Sequence, residues 1–413
     1  MTQQQQIPDN FLAGYFNEED IRQYKKILSE ASPVDSTRLK KISSLNKEQL
    51  DTETPKGYDF HFNVNLLITF AAGKLNQNKF VEFLLHIGEI SISKGELQTA
   101  SQVYENILSQ VKNESKLENV AAHSLLALGN IFSRHAQWEK SLNYINKAKK
   151  IFEKQKDYQD SAKCENLLGT IAGDRSHLRK ANNHFEKSLS LLDPKKDNTL
   201  IGMLEINLGI LNTIQGNFDI AFTYFQRSLI IYEQLKDFKR IAEIRHNLGV
   251  LFTQKGELEP ALVEFDSSLM FAAKVNYLPS LAVSYLSKAY IYTQNKDFIL
   301  AKAFADKALE VCFKLDDRLS IADIYKIKGI IERNLKNYSS AENYLLTSVR
   351  MNKELENEQN AAESLYELGI LNLEIKKEKE AYPYLKSSYN YYKKVNVPQM
   401  MTKIEKLMNN IKL

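Results

Sequence analysis

The sequence predicts an all-α protein built as a solenoid, in which similar helix pairs stack one after another. Two observations support this prediction. The 413 residues include only 15 glycines and 8 prolines, whereas average usage is about 7% and about 5%, so few turn residues are available for the hairpins of a β protein. In addition, small residues recur at intervals of 40 residues, and internal periods of this length are typical of stacked supersecondary units.

The repeat is defined by a glycine that returns every 40 or 41 residues. Twelve residues after each of these positions comes a second small residue, which is alanine in seven repeats and Ser141 in the other. The sixth repeat has Ala289 in place of the glycine. Two small residues at fixed positions would let the two helices of a pair cross at close range. The glycines are Gly88, Gly129, Gly169, Gly209, Gly249, Gly329 and Gly369, and the alanines are Ala100, Ala181, Ala221, Ala261, Ala301, Ala341 and Ala381.

The unit around Gly209 indicates how one repeat folds. Apolar residues of Leu200–Leu211 recur at the spacing of one helix face, and Gly216 then interrupts the pattern as a turn. A second amphipathic pattern covers Phe218–Tyr232, where Phe225 is expected to fill the space beside the close crossing. Each pair exposes apolar surface that only its neighbours can cover, so the array is stable as a stack.

This pattern resembles the tetratricopeptide repeat, in which a Leu-Gly pair is followed by alanine, a large apolar residue and a small residue. The resemblance covers about residues 81–392. Its period is similar to that of Pins-type polarity adaptors, kinesin light chains and bacterial Rap-type peptide receptors. It implies a right-handed superhelical solenoid of eight helix pairs, starting near 81, 122, 162, 202, 242, 282, 322 and 362. The motif residues include the pairs Leu208-Gly209, Leu248-Gly249 and Leu368-Gly369, the large residues Tyr104, Phe185, Phe225, Phe265, Leu345 and Leu385, and the small residues Ala148, Ser188, Ser228, Ser268, Ala308, Ser348 and Ser388.

Four residues depart from this motif. Lys288 and Lys328 replace the leucine of the pair, Ala305 replaces the large residue, and Ile107 replaces the small residue. The packing between repeats five, six and seven is therefore the part that the motif defines least.

The N-terminal segment does not fit the repeat. Residues 1–16 are predicted to be a disordered N-terminus and residues 17–80 a helical module, whose first helix is capped by Asn17. A DNA-reading helix-turn-helix within 18–52 is an alternative, but ten basic and ten acidic residues in the first 80 give no charge excess. The helices of the module are predicted near 18–30, 36–50 and 63–75.

Residues 393–413 are predicted to be a C-terminal capping helix. Met401, Ile404 and Leu407 form part of an apolar stripe that begins after Pro398, and a solenoid needs a helix that covers its last exposed face. The lysines of this segment also fit a basic amphipathic helix at a membrane surface, which is the alternative interpretation.

Composition and charge exclude several other classes of protein. The net charge is only +4, so a dedicated nucleic-acid or anionic-membrane binder is not expected. No run of 18 uncharged apolar residues is present to span a membrane, and the start MTQQQQIPDNF has no secretory pattern. We therefore expect a cytoplasmic protein. Cys164 and Cys312 lie in apolar helical patterns and are expected to be buried as small hydrophobic residues.

No catalytic motif is visible in the sequence. His177 and His184 would share a helix face but have no third ligand nearby in sequence, so no metal site is expected. The chain also lacks a phosphate-binding loop and a nucleophile elbow. We predict that it is not an enzyme, that it needs no cofactor and that it takes no small-molecule substrate.

The resemblance places function in a concave groove lined by the first helix of each pair. An asparagine amide both donates and accepts hydrogen bonds, so Asn207 and Asn247, one repeat apart, are predicted to hold the backbone of a bound peptide. The alternative is that they cap or bridge neighbouring helices. Lys326 and Arg333 are expected to attract an acidic end of that peptide. The full set of predicted peptide-binding residues is Asn207, His246, Asn247, Thr253, Gln254, Tyr290, Gln294, Lys326 and Arg333.

Two functions are compatible with these features. The first is a non-catalytic scaffold that binds a peptide segment of a partner protein. The second is a Rap-like peptide-responsive regulator, in which groove occupancy repositions the N-terminal helical module on an effector. The sequence does not identify the partner, the pathway or the oligomeric state.

Overall fold

The computed structural model describes residues 7, 9–31, 58–111, 114, 117–135, 137–175, 177–315, 317–395 and 397–411. Within these ranges every regular element is a helix, so the all-α prediction is confirmed. The predicted helix near residues 36–50 lies outside the described residues. The helices are α1 (Asp9–Ala13), α2 (Glu18–Ala31), α3 (Tyr58–Lys74), α4 (Gln77–Ser93), α5 (Leu97–Val111), α6 (Glu118–Arg134), α7 (Trp138–Gln155), α8 (Tyr158–Asp174), α9 (Leu178–Ser190), α10 (Asn198–Ile214), α11 (Phe218–Leu235), α12 (Phe238–Lys255), α13 (Leu258–Lys274), α14 (Leu278–Gln294), α15 (Phe298–Leu315), α16 (Arg318–Asn334), α17 (Tyr338–Glu354), α18 (Glu358–Glu374), α19 (Glu378–Lys394) and α20 (Pro398–Asn409).

The helices α4 to α19 form eight successive pairs, as the fold prediction requires. The chain divides into two compact units, Met1–Asp193 and Pro194–Leu413. Three pairs belong to the first unit and five to the second. In each pair we call the earlier helix the first helix and the later one the second helix.

Side-chain caps set where many first helices begin. Asp237 accepts a hydrogen bond from the backbone N–H of Arg240 at 3.1 Å, and Asp317 accepts one from Ser320 at 3.1 Å. Such caps satisfy backbone donors that the first turn of a helix leaves unpaired. The recurring Asp or Asn therefore fixes the register of successive repeats.

In seven of the eight pairs, the repeat glycine makes a close contact with the residue sixteen positions later. A Cβ atom placed on Gly209 would lie 2.5 Å from the ring of Phe225, and one on Gly249 would lie 2.5 Å from Phe265. Both rings are buried. Because a methyl group does not fit in this space, these positions require glycine for packing and not for backbone freedom.

The sixth pair uses a compensated version of the same contact. Here the small residue is Ala289, and the residue sixteen positions later is Ala305 instead of a ring or leucine. Both alanines are fully buried. The sixth pair thus has a larger residue than glycine on the first helix and a smaller residue than usual on the second, and both alanines lie in one core cluster.

A buried serine adds a polar contact within several pairs. The hydroxyl of Ser228 donates to the carbonyl oxygen of Gly202 at 2.8 Å, and Ser268 and Ser348 donate to carbonyls 26 residues earlier at the same distance. The sequence predicts only a small residue at this position. Its hydroxyl also joins the second helix to the first.

Lys288 and Lys328 fit the array because each pairs with a carboxylate of the preceding second helix. The ammonium of Lys288 lies 2.5 Å from Asp266, and that of Lys328 lies 2.5 Å from Asp306. Both lysines are buried, and Lys288 also lies 4.5 Å from the centroid of the Phe304 ring. Burying an ammonium is tolerated where it has a partner.

The N-terminal segment is more ordered than the sequence predicts. Leu12 and Phe16, which belong to the segment expected to be disordered, are buried in the core of the first unit, and α1 begins at Asp9. Aromatic side chains of this segment occupy buried positions. The glutamine-rich composition at the start of the sequence does not predict this burial. The predicted cap of α2 is present, since Asn17 accepts from the N–H of Asp20 at 2.8 Å.

The C-terminal helix α20 packs on the last pair. Ile404 is fully buried in a cluster with Tyr366, Leu385 and Tyr392. The apolar stripe of α20 therefore packs against α18 and α19.

The two cysteines are buried and free, as predicted. Burial raises the pKa of the Cys164 thiol to about 12 and that of Cys312 to about 11. Neither thiol is a reactive thiolate at neutral pH.

Two glycines of α8 test the packing argument within one helix. Gly169→Ala is expected to destabilise the protein by about 1–3 kcal/mol, because its Cβ would lie 2.5 Å from the ring of Phe185. Gly173→Ala is expected to stabilise it by about 0.5–1 kcal/mol, because its Cβ would meet Ala181 at an ordinary 4.0 Å. Thermal or urea melts of the two variants measure both effects, and equal changes would contradict the close crossing.

Candidate functional site

A cavity of about 500 Å³ crosses the first helices of repeats five, six and seven, which are α12, α14 and α16. Five of the nine predicted groove residues line it together. The 40-residue period places equivalent positions of successive first helices on one face, and residues four apart on a helix share that face. The five are Thr253, Gln254, Tyr290, Gln294 and Lys326.

The rest of the cavity wall is mainly apolar. Val250, Leu286, Ile327 and Ile330 contribute from the first helices, and the ring of Phe265 reaches it from α13. A concave site with an apolar wall and a few polar groups is typical of ligand-binding pockets. Tyr290 is 47% exposed and presents its ring at the surface of the site.

Threonine hydroxyls of the groove are used inside their own helices. Thr253 donates to the carbonyl oxygen of Gly249 at 2.8 Å, and Thr213 and Thr293 make the equivalent bonds at 2.8 and 2.7 Å. These hydroxyl protons are therefore not available to a ligand.

Lys326 has partners within the chain. Its ammonium lies 3.2 Å from Asp323 and 2.5 Å from Glu363 of the next repeat. Burial acts to lower the pKa of Lys326, but the two carboxylates together raise it above its ordinary value. Lys326 therefore carries a positive charge in the wall of the cavity, and the two carboxylates balance that charge.

Arg333 is held in the same way by the next repeat. Its guanidinium lies 2.6 Å from Glu367 and 3.4 Å from Glu374. It lies outside the lining of the cavity. The sequence suggests a cation for an acidic ligand end, but the structure pairs Lys326 and Arg333 with glutamates of α18. An ion pair between side chains of neighbouring repeats cannot be inferred from the residue type at a single position of the repeat.

His246 makes contacts within the chain. Its Nδ1 lies 3.2 Å from the hydroxyl of Ser284, and its ring centroid is 5.3 Å from that of Phe265. Burial lowers the pKa of His246 to about 4. The residue is a neutral packing and hydrogen-bonding group between α12 and α14, outside the lining of the cavity.

Asn207 and Asn247 are half-buried on the neighbouring first helices α10 and α12. Neither lines the cavity, and Asn207 has an interaction partner within the chain. Their role as holders of a peptide backbone stays a prediction.

His184, considered above as a metal ligand, interacts with a buried carboxylate in the first unit. Glu165 is fully buried and lies 2.7 Å from each of Lys149, Lys187 and the Nδ1 of His184. Burial acts to raise the pKa of Glu165, but the hydrogen bonds from His184, Lys149 and Lys187 outweigh it and lower the pKa to about 2. His184 thus serves an internal polar cluster.

Metal-binding clusters and membrane-spanning helices are absent from the described residues. Among them, no group of three His, Cys, Asp or Glu side chains is arranged to hold a metal ion. In the same ranges, no helix combines the length and apolar character that crossing a bilayer demands.

The geometry defines an all-α array of helix pairs whose first helices carry a ligand-sized cavity. Family models of the tetratricopeptide repeat match residues 200–269 and 282–314. Residues 200–269 and 282–314 are therefore tetratricopeptide repeats, and the other helix pairs share their fold. The comparison with curated proteins found no match.

Solved structures of similar fold include the aspartyl phosphate phosphatase F of Bacillus subtilis, at 14% identity and a TM-score of 0.55, covering 96% of this chain and 95% of that chain. The Rap conjugation gene regulator of the plasmid pLS20, solved in complex with the Phr* peptide, is 15% identical, with a TM-score of 0.55 and coverage of 83% and 96%. A signal transduction ATPase with a tetratricopeptide repeat sensor from Pyrococcus horikoshii is 14% identical, with a TM-score of 0.58 and coverage of 94% and 55%. At these identities the likeness shows the fold alone.

The pKa of His246 leads to a pH prediction. Between pH 6.5 and pH 4 the unfolded chain protonates this histidine and the folded chain does not. Its contribution to stability is therefore fully present above pH 6.5 and is lost as the pH falls toward 4. In an NMR titration the ring signals of His246 should keep their neutral positions down to pH 5. A midpoint near 6.5 would show that the ring is solvated.

Proposed function

We propose that this protein is a non-catalytic interaction scaffold that binds a peptide segment of a partner protein in the cavity on α12, α14 and α16. The observation that carries the proposal is the convergence of Thr253, Gln254, Tyr290, Gln294 and Lys326 around one space of about 500 Å³. Backbone groups of a peptide need hydrogen-bond partners when they leave water. Side-chain amides supply both donors and acceptors for them.

The architecture of similar structures supports the same proposal. The pLS20 regulator, which shares the fold, was solved with a peptide bound. Helix-pair solenoids form extended concave surfaces that suit such ligands. Within the proposal, residues 81–392 act as the repeat array, residues 17–80 as the N-terminal helical module, and residues 393–413 as the cap.

The regulator alternative requires an effector surface on the N-terminal helical module. Helices α2 and α3 of this module contribute Tyr24 and Leu67 to the core of the first unit. Among the described residues of 17–80, no exposed feature favours an effector site over a packing role, so the scaffold is the function that we propose.

Site-specific photo-cross-linking tests the scaffold directly. A photo-reactive amino acid placed at Tyr290 should form adducts in the native cells with one short linear segment of a partner protein. The exposed side chain tolerates the change because it is not part of the core. Mass spectrometry of the adducts identifies the segment.

The matched control places the same photo-reactive residue at Tyr158, which is 59% exposed on α8 of the first unit. An adduct pattern that is the same at both positions, or adducts scattered over many unrelated segments, would contradict a specific groove at Tyr290.

A further inference from the structure

An apolar row runs along the first helices of the second unit, at the position that directly follows the repeat glycine or alanine. The first unit has polar residues at the same position, namely Glu89, Asn130 and Thr170. Three members of the row line the cavity, and the ring of Tyr290 and the side chain of Ile210 are exposed. A surface row that changes from polar to apolar between repeats of one array indicates a binding surface. The members are Ile210, Val250, Tyr290, Ile330 and Ile370.

A row of side-chain amides runs beside the apolar row, one helical turn further along. Gln254, Gln294 and Asn334 follow Val250, Tyr290 and Ile330 by four residues, which places each amide next to its apolar neighbour on the helix surface. Asn334 donates to the carbonyl oxygen of Ile330 at 2.8 Å and keeps its own carbonyl oxygen as an acceptor. The groove thus offers alternating apolar and amide groups.

The charges beside these rows disfavour an acidic ligand. Lys326 is enclosed by Asp323 and Glu363, and Arg333 lies between Glu367 and Glu374. Four carboxylates therefore surround two cations. An incoming carboxylate would have to displace one of these partners and would be repelled by the others.

The spacing of the row selects the conformation of the ligand. Packed helices lie about 10 Å apart. A peptide in the extended polyproline II conformation advances about 3.1 Å per residue with three residues per turn, so every third side chain lies on one side of the peptide and meets the next member of the row. A helix would need about seven residues for the same distance, but its backbone groups are already paired and would leave the amide row unused.

We propose that the groove of the second unit binds an extended, non-acidic peptide that carries an apolar side chain at every third residue. This inference rests on the proposed function and adds the chemistry of its ligand. The apolar side chains contact the row from Val250 to Ile330, and the amides of Gln254 and Gln294 bond to the peptide backbone.

Selection from a random twelve-residue peptide library displayed on phage tests the inference without knowledge of the partner. The full-length protein is the bait, and parallel selections use Tyr290→Ala and the matched control Tyr158→Ala. The expected pool is enriched in apolar residues three positions apart and is not enriched in Asp or Glu. Synthetic peptides from the pool should bind Tyr290→Ala about ten-fold more weakly than wild type, and Tyr158→Ala unchanged.

The possible outcomes distinguish a failure of this inference from a failure of the proposed function. A pool that depends on Tyr290 but is rich in Asp and Glu, or has apolar residues seven apart, overturns this inference and leaves the peptide groove in place. A pool that is equal for wild type and Tyr290→Ala, or no enrichment at all, overturns the groove and the inference with it. Binding that weakens less than about two-fold between low and high salt supports an uncharged contact.

Discussion

The close crossing of the two helices in each pair is the constraint on which the rest of the structure depends. A glycine on the first helix faces a ring, a leucine or an isoleucine sixteen residues later, as Gly209 faces Phe225, with no room for a methyl group between them. Where the glycine becomes Ala289, its partner becomes Ala305. Because this contact recurs with a constant period, equivalent side chains of successive first helices fall into rows. A continuous row of similar side chains can then form when one position of the repeat carries the same residue type in successive repeats.

The contacts between repeats determine what such a surface can bind. Lysines and arginines that would otherwise face a ligand pair with carboxylates of a neighbouring repeat, as Lys326 does with Glu363. The same device stabilises Lys288 against Asp266. These pairs hold adjacent repeats together and also remove positive charge from the groove. In the proposed function, the apolar and amide groups of the second unit are therefore the groups that recognise the peptide.

Much of this arrangement follows from the sequence because it depends on period and residue size. The glycine-to-large spacing predicts the helix pairs, and equivalent positions predict that Thr253, Gln254, Tyr290 and Gln294 face one space, where they do line one cavity. Pairing between residues far apart in sequence does not follow from a repeat pattern. The partners of Lys326, and the hydrogen bond that turns His246 toward Ser284, depend on how neighbouring repeats approach each other. The buried Leu12 and Phe16 likewise depend on tertiary contacts that local composition does not reveal.

Isoleucine methyl NMR tests the central claim most directly, because the chain carries isoleucines both in the groove and on the second helices. A peptide from the displayed library is added to protein labelled at isoleucine methyl groups. We predict a shift at Ile330, the isoleucine of the apolar row that lines the cavity, while the exposed Ile220 and Ile299 of α11 and α15 keep their positions. Shifts at Ile220 and Ile299 with an unchanged Ile330 would contradict this account and place the binding surface on the second helices.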